Sequence, residues 1–258
     1  MDKPLDGRVV LITGATAGIG EATAMEAARS GAKVLIGGRD EDRGRRLSED
    51  LRSAGGTAIF QRLDVTVPES IAAFVATALD RFGRLDGCVN NAGLEGRLAP
   101  LHQQSDEDFD SIMNTNLRGV FQAMRGEISA MLPRGGGAIV NTGSVGSFVG
   151  LRNQSLYAAT KHAVWALTRS AAVEYAGSGI RINMVAPAGT ETPMLTRVVP
   201  DPDVRKRAAA THPIGRFGSP EEVAHAIIWL LSDQASFVCG QSIGVDGGYS
   251  ATLGFQPG

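Results

Sequence analysis

The stretch SLYAATKHAV, residues 155–164, sets a phenol at Tyr157 and an ammonium at Lys161 four positions apart. Residues at that spacing share one face of a helix. Such a pair can move a proton. A reacting hydroxyl that loses its proton, or a carbonyl oxygen that gains one, needs a partner that changes protonation state near neutral pH. A free tyrosine titrates near ~10, too high to be an efficient base. An ammonium about 4 Å away stabilises the phenolate by about 4 kcal/mol at an effective dielectric of ~20. That amounts to roughly three pK units, so the spacing predicts that Lys161 brings Tyr157 into working range.

A second cluster could hold a phosphate. TGATAGIGEATA follows an apolar run and spaces Gly14, Gly18 and Gly20 as G-x3-G-x-G. A sharp turn out of a strand needs a residue tolerant of unusual φ. The helix that follows offers unpaired N–H groups and a partial positive charge to a pyrophosphate. No Lys-Ser/Thr follows the last glycine, so this is not a P-loop. Other strand ends add to it. LDV puts Asp64 where a carboxylate can meet an adenine amino group, and NNAG at 90–93 places two amides where buried polar groups need partners. An acid ending the second strand would bond the ribose of NAD, whereas a basic residue accepts the extra phosphate of NADP. Here IGGRD puts Gly38 at that position and Arg39 after it. Arginine is the better fork for a phosphate. NADP(H) is favoured, and NAD(H) stays open because Asp40 could face the ribose itself.

These residues need a scaffold. RVVLITG, KVLIGG, TAIFQRLDV, LDGCVNNAG, GAIVNTGS, IRINMVAP and QSIGVDGG read as strands, most of them apolar on both faces. That is the pattern of strands buried in a parallel sheet. Helical stretches lie between them at 18–30, 41–54, 68–82, 106–132, 155–176 and 219–232. Ser219, Pro220 and Glu222 spell a capping box with proline at the first helical position, and Ser105 starts another helix. Repeated alternation predicts a single α/β domain over 1–258, a doubly wound Rossmann sheet of about seven strands with helices on both faces. The segment 188–215 carries Pro193, Pro200, Pro202 and Pro213 and fits a substrate lid.

Composition excludes other classes. Among 258 residues, 43% are apolar and 20% charged, with a net charge of -2. There is no basic stripe for nucleic acid and no apolar run long enough for a membrane. Cys88 and Cys239 lack ligand spacing and read as thiols of a reducing compartment. His102, His162, His212 and His225 show no metal spacing and read as surface or packing residues. The N-terminus lacks the pattern of a signal peptide. The expected location is the cytoplasm.

In order along the chain, TGATAGIG, NNAG, NTN at 114–116, NTGS at 141–144, YAATK at 157–161 and GVDGG at 244–248 resemble the short-chain dehydrogenase/reductase family. The resemblance covers nearly the whole chain. It implies a catalytic set of Asn116, Ser144, Tyr157 and Lys161. Ser144 would bond the substrate oxygen, Lys161 would also hold the nicotinamide ribose, and Asn116 would support a proton relay. It implies cofactor contacts at Gly14, Thr16, Gly18, Ile19, Gly20, Arg39, Asp64, Val65, Asn91, Ala92, Gly93, Tyr157, Lys161, Pro187, Gly189, Thr190 and Thr192. Two positions depart from the family pattern. Pro187 is followed by Ala188, with Gly189 one step later, and Ala17 stands where NADP-dependent members often carry a basic residue.

Neighbours of the catalytic set predict a pocket for a small apolar or cyclic substrate: Leu94, Glu95, Val145, Gly146, Phe148, Gln154, Ala188, Gly189 and Met194. Glu95 and Gln154 would read substrate hydroxyls, or else lie solvated. The expected partner is a small carbonyl or alcohol. The family implies a homotetramer or homodimer, with the helices at 106–132 and 155–176 in one interface and the C-terminal GYSATLGFQPG packing on another. A non-catalytic NAD(P)-binding sensor on the same fold is the alternative, and the intact tetrad argues against it. A methyl transferase with a similar glycine-rich turn would want an acid at Gly38.

Overall fold

A computed structural model describes residues 3–251. Seven parallel strands form one sheet in the order β3-β2-β1-β4-β5-β6-β7. They are β1 (Val9–Thr13), β2 (Lys33–Gly38), β3 (Thr57–Arg62), β4 (Gly87–Asn90), β5 (Gly137–Thr142), β6 (Ile180–Pro187) and β7 (Ser242–Val245). This is the doubly wound Rossmann-like fold that the alternation predicts.

Strand residues alternate between two cores. Leu11, Leu35, Cys88, Ile139 and Ile182 face α3 (Pro68–Phe82), α5 (Gly119–Met131) and α6 (Ser155–Tyr175). Val10, Ile12, Val34, Val89 and Val140 face α1 (Gly18–Arg29), α2 (Glu41–Ser53) and α9 (Pro220–Leu231). Both faces are covered, which is why the strands read as continuous apolar runs. The capping box at Ser219 forms, with Glu222 reciprocating, and Ser105 pairs likewise with Asp108.

Three expectations are corrected. The predicted helix at 106–132 is α4 (Asp106–Met113) and α5 joined by a π turn over Asn114–Arg118. The third strand ends at Arg62, so Asp64 lies in the loop beyond it. The segment 188–215 is not irregular throughout but folds α7 (Pro193–Val198) and α8 (Pro202–Ala210). Pro193 and Pro202 each stand in a helical first turn, where proline is tolerated. Part of the C-terminal stretch GYSATLGFQPG lies outside the described residues.

The strand order reverses between β1 and its neighbour β4, so the loops at their C-terminal ends diverge and open a crevice. Backbone packing is tight there. Gly14 has φ +64°, and a Cβ on it would come within 2.7 Å of the Ala92 Cα. No other residue type allows that approach without strain.

Candidate active site

Asn91 ties the crevice together. Its amide donates to the Gly14 carbonyl at 3.0 Å and the Thr13 carbonyl at 3.3 Å. The N–H groups of Asn91 and Ala92 both donate to the Thr13 hydroxyl, at 3.0 and 3.1 Å. The NNAG cluster thus fixes the glycine-rich turn from the neighbouring strand, leaving a cleft of about 360 Å³ lined by Gly14, Thr16, Gly18, Ile19, Arg39, Asp64, Val65, Ala92 and Gly93. Gly20 packs beneath that turn, against the Gly14 carbonyl and the Asn91 amide. No side chain caps the N-terminus of α1, so its N–H groups stay available to an anion. The cleft therefore fits a dinucleotide.

At the part of the cleft lined by Arg39 and Asp64 the carboxylates are already engaged. Asp40 caps α2 by accepting from the Arg43 N–H at 3.0 Å. Asp64 accepts from the Thr66 N–H at 2.9 Å and hydroxyl at 2.7 Å, and these bonds hold its carboxyl below the usual range. A Cβ on Gly38 would meet the Thr16 methyl at 2.5 Å, so Thr16 fills the place of a ribose-binding acid. Arg39 makes no ion pair among the described residues and lines the cleft.

A second cavity, of about 310 Å³, adjoins this cleft along Ile19, Asn91, Gly93, Leu94, Thr192 and Met194, which line both. Pro187, Ala188, Gly189 and Thr190, from the end of β6 and the loop after it, also line it. Ser144, just after β5, and Tyr157 and Lys161, on α6, meet at its wall. Lys161 is 6% exposed, and its Nζ donates to the Thr142 carbonyl at 2.7 Å. Burial lowers its pKa to about 8. The Lys161 nitrogen lies 5.6 Å from the centre of the Tyr157 ring. Burial pushes the Tyr157 phenol above its ordinary value, a hydrogen bond with Ser144 pulls it down, and the Glu95 carboxylate raises it. Burial is the largest influence on the Tyr157 phenol, and it acts against the expected help from Lys161.

Asn116 is completely buried in the π turn. Its side-chain oxygen accepts from the Leu94 N–H at 2.9 Å, and its nitrogen donates to the Leu94 carbonyl at 2.9 Å. A longer contact at 3.4 Å reaches the Thr160 hydroxyl, one residue before Lys161. The side chain itself braces the loop after β4. A π turn recurs at functional sites because it disturbs the helical hydrogen-bond ladder.

Of the predicted substrate contacts, Leu94, Glu95, Val145, Gln154, Ala188, Gly189 and Met194 line the second cavity. Gly146 and Phe148 do not, and both are corrected. Gly146 is buried against Leu151 and donates its N–H to Ser144 at 3.1 Å. Phe148 turns outward, edge-on to Trp165 at 6.1 Å. Glu95 is held by Arg197 at 2.6 and 3.2 Å. Leu151, Leu195, Val198, Thr211, His212 and Tyr249 line the cavity and were not foreseen. His212 is only 5% exposed and accepts from the Gly189 N–H at 3.2 Å. The fold brings it there from 23 residues away, and nothing local marks it.

A family profile described as enoyl-(acyl carrier protein) reductase matches residues 14–250. The cyclohexanol dehydrogenase of Acinetobacter sp. (strain SE19) is 39% identical over 251 residues, covering 97% of this chain and 98% of that protein. The cis-4-hydroxycyclohexanecarboxylate dehydrogenase of Sinomonas cyclohexanicum is 46% identical over 255 residues, covering 97% and 100%. The crystal structure of levodione reductase matches with a TM-score of 0.94 at 37% identity, over 96% of this chain and 100% of that one. Motif order, strand order and full-length likeness converge, and the chain belongs to the short-chain dehydrogenase/reductase family.

Proposed function

We propose that this enzyme interconverts a secondary alcohol and a ketone on a small apolar or cyclic substrate, with NADP(H) preferred over NAD(H), in the cytoplasm. The observation that carries the reading is the adjacency of the two cavities, with Ser144, Tyr157 and Lys161 on the wall of the second. The nicotinamide cofactor would supply or accept the hydride when bound. The protein groups manage the proton. Tyr157 takes it from the alcohol or returns it to the alkoxide. Ser144 holds the substrate oxygen. Lys161, fixed by the Thr142 carbonyl, places its ammonium on the phenol side and would hold the ribose. Asn116 braces the Leu94 turn, and its π turn lies beside the Thr160–Lys161 stretch where a proton relay would leave.

Apolar walls and a cavity of about 310 Å³ suit a ring-sized substrate. Support for NADP(H) comes from Arg39 without an ion pair among the described residues, Thr16 in place of an acid, and Asp40 spent as a helix cap. The segment 188–215, with α7 and α8, would serve as the lid of a single 1–258 domain. A homotetramer or homodimer would cover Phe109, Phe121 and Val173, apolar side chains that α4, α5 and α6 leave exposed. Cys88 and Cys239 are free thiols, as suits a reducing compartment.

The test follows reduced-nicotinamide absorbance with cyclohexanol or cyclohexanone, alongside binding of NADPH and NADH. We expect turnover, and NADPH binding roughly 10-fold or more tighter than NADH, a margin that Arg39→Ala removes. Equal binding of the two cofactors would overturn the phosphate assignment. Absence of turnover with a panel of cyclic alcohols and ketones would return the reading to a non-catalytic sensor.

A further inference from the structure

We infer that Glu95 is a positioning residue whose charge, balanced by Arg197 from the lid segment, sets the pH range over which Tyr157 works. The inference rests on Tyr157 as the proton-transfer group. Glu95 stands in the loop after β4, five residues past Asn90, and lines the substrate cavity with Tyr157. It also shares a small recess with Tyr157 on the other side. Its partner comes from far along the chain: Arg197, in the last turn of α7, grips both carboxylate oxygens. Arg197 itself lines the dinucleotide cleft. One guanidinium therefore faces the cofactor and holds the acid that faces the tyrosine.

The two partners differ in solvation. The Glu95 side chain is 19% exposed and that of Arg197 59% exposed. Burial raises the Glu95 carboxyl, but the bonds from Arg197 outweigh it and bring it below its ordinary value, so it is charged at neutral pH. A nearby carboxylate disfavours a phenolate, and Glu95 acts on Tyr157 in that direction. Other charged or titratable groups facing Tyr157 are placed differently. Lys161 approaches from α6. His212, after α8, and Tyr249, after β7, line the same cavity. Arg97 and Asp108 line the recess and pair with each other at 3.3 Å. Glu95 is thus the anion whose balance depends on the lid. If α7 lifts, Arg197 leaves with it, and the uncompensated carboxylate keeps Tyr157 protonated until the lid returns.

The experiment is the pH profile of kcat/KM for alcohol oxidation in Glu95→Gln, Arg197→Gln and the double variant. Both single changes break the same ion pair, so a purely structural latch moves both profiles the same way or not at all. Charge control moves them in opposite directions. Glu95→Gln carries the acidic limb to lower pH and Arg197→Gln to higher pH. Each shift is about half a pH unit, the effect of one unit charge roughly 10 Å away at an effective dielectric of about 50. The double variant returns near wild type. Shifts of the same sign, or none, overturn the inference. If Glu95→Gln does not fold, Arg197→Gln and the double variant still decide it. A cofactor-free ultraviolet titration of the Tyr157 phenolate, taken as the difference from Tyr157→Phe, must show the same order. Tyr157→Phe also separates the two failures. Wild-type turnover in that variant overturns the role of Tyr157 and this inference with it. Lost turnover with same-sign shifts overturns this inference alone.

Discussion

The two faces of the sheet are built from different materials. The face under α1, α2 and α9 is mostly apolar, packed from Val10, Ile12, Val34, Val89, Val140, Ile227 and Leu230, and its buried Thr23, Ser48 and Asn183 bond backbone carbonyls. The face under α3, α5 and α6 contains apolar residues too, but a polar seam runs through it. Asn90 donates to Glu127 at 3.0 Å and to the Asn141 oxygen at 3.0 Å, and Asn141 donates to Thr168 at 2.9 Å. Asn116, Thr160 and Lys161 lie on the same side, carried by the π turn and α6. Burying such groups costs free energy unless each is paired. The dry face holds the molecule together, while the seamed face accepts that cost and carries the chemistry.

Substitutions on each side can break or sharpen this contrast. The largest effect is expected at Lys161→Met, which should lower kcat by about 10²–10⁴-fold while raising stability at pH 7. The sign follows from its depressed pKa of about 8. In the folded state the ammonium is penalised, and the penalty is fully present below pH 8. It fades as pH rises from 8 towards the unfolded value. Melting experiments should show the variant ahead by up to about 3 kcal/mol at pH 7, less the lost bond to Thr142, with the gap closing above pH 8. A variant less stable than wild type at every pH would remove the claim that this face trades stability for function.

Ile227→Ala on the dry face should do the reverse. Truncating a fully buried isoleucine costs about 2–5 kcal/mol, read by urea unfolding, while KM and kcat of the folded fraction stay at wild type. The smallest effect is expected at Glu127→Gln. Burial raises this carboxyl to about 7, so the folded state binds the extra proton between the ordinary value near 4.5 and 7. Wild-type stability is therefore lost as pH rises through that window. The amide should gain about 1–3 kcal/mol at pH 8 and nearly nothing at pH 4.5, as paired denaturation curves would show.

The same contrast explains what the sequence discloses. The dry face is legible because its strands must be apolar and its helix starts carry caps, as at Ser219. Tyr157, Lys161 and Asn91 are legible because a phenol, an ammonium and an amide stand out among apolar neighbours. The π turn is not, because Asn114–Arg118 has the same helical pattern as its flanks and one extra residue per turn leaves no compositional mark. Glu95 reads as an exposed loop acid because its partner is 102 residues away. His212 reads as ordinary for the same reason, since only tertiary structure lays it on Gly189. Phe148 misleads because its apolar character suits a pocket, yet it turns outward to Trp165.

The strand order also has a consequence for how the chain is made. β1 pairs on one side with β2, which follows closely, and on the other with β4, where Val10 meets Gly87, 77 positions later (87 − 10). At roughly 5–20 residues per second, a nascent chain waits about 2.5–10 s between Gly38, which completes one edge of β1, and Gly87 of the strand that covers the other. Once β3 is made within that interval, β3-β2-β1 is a three-stranded sheet with an open edge, ready to pair with a neighbouring chain. The cofactor crevice lies along that same seam, so the pairing that spans the most chain is the one that later receives the dinucleotide.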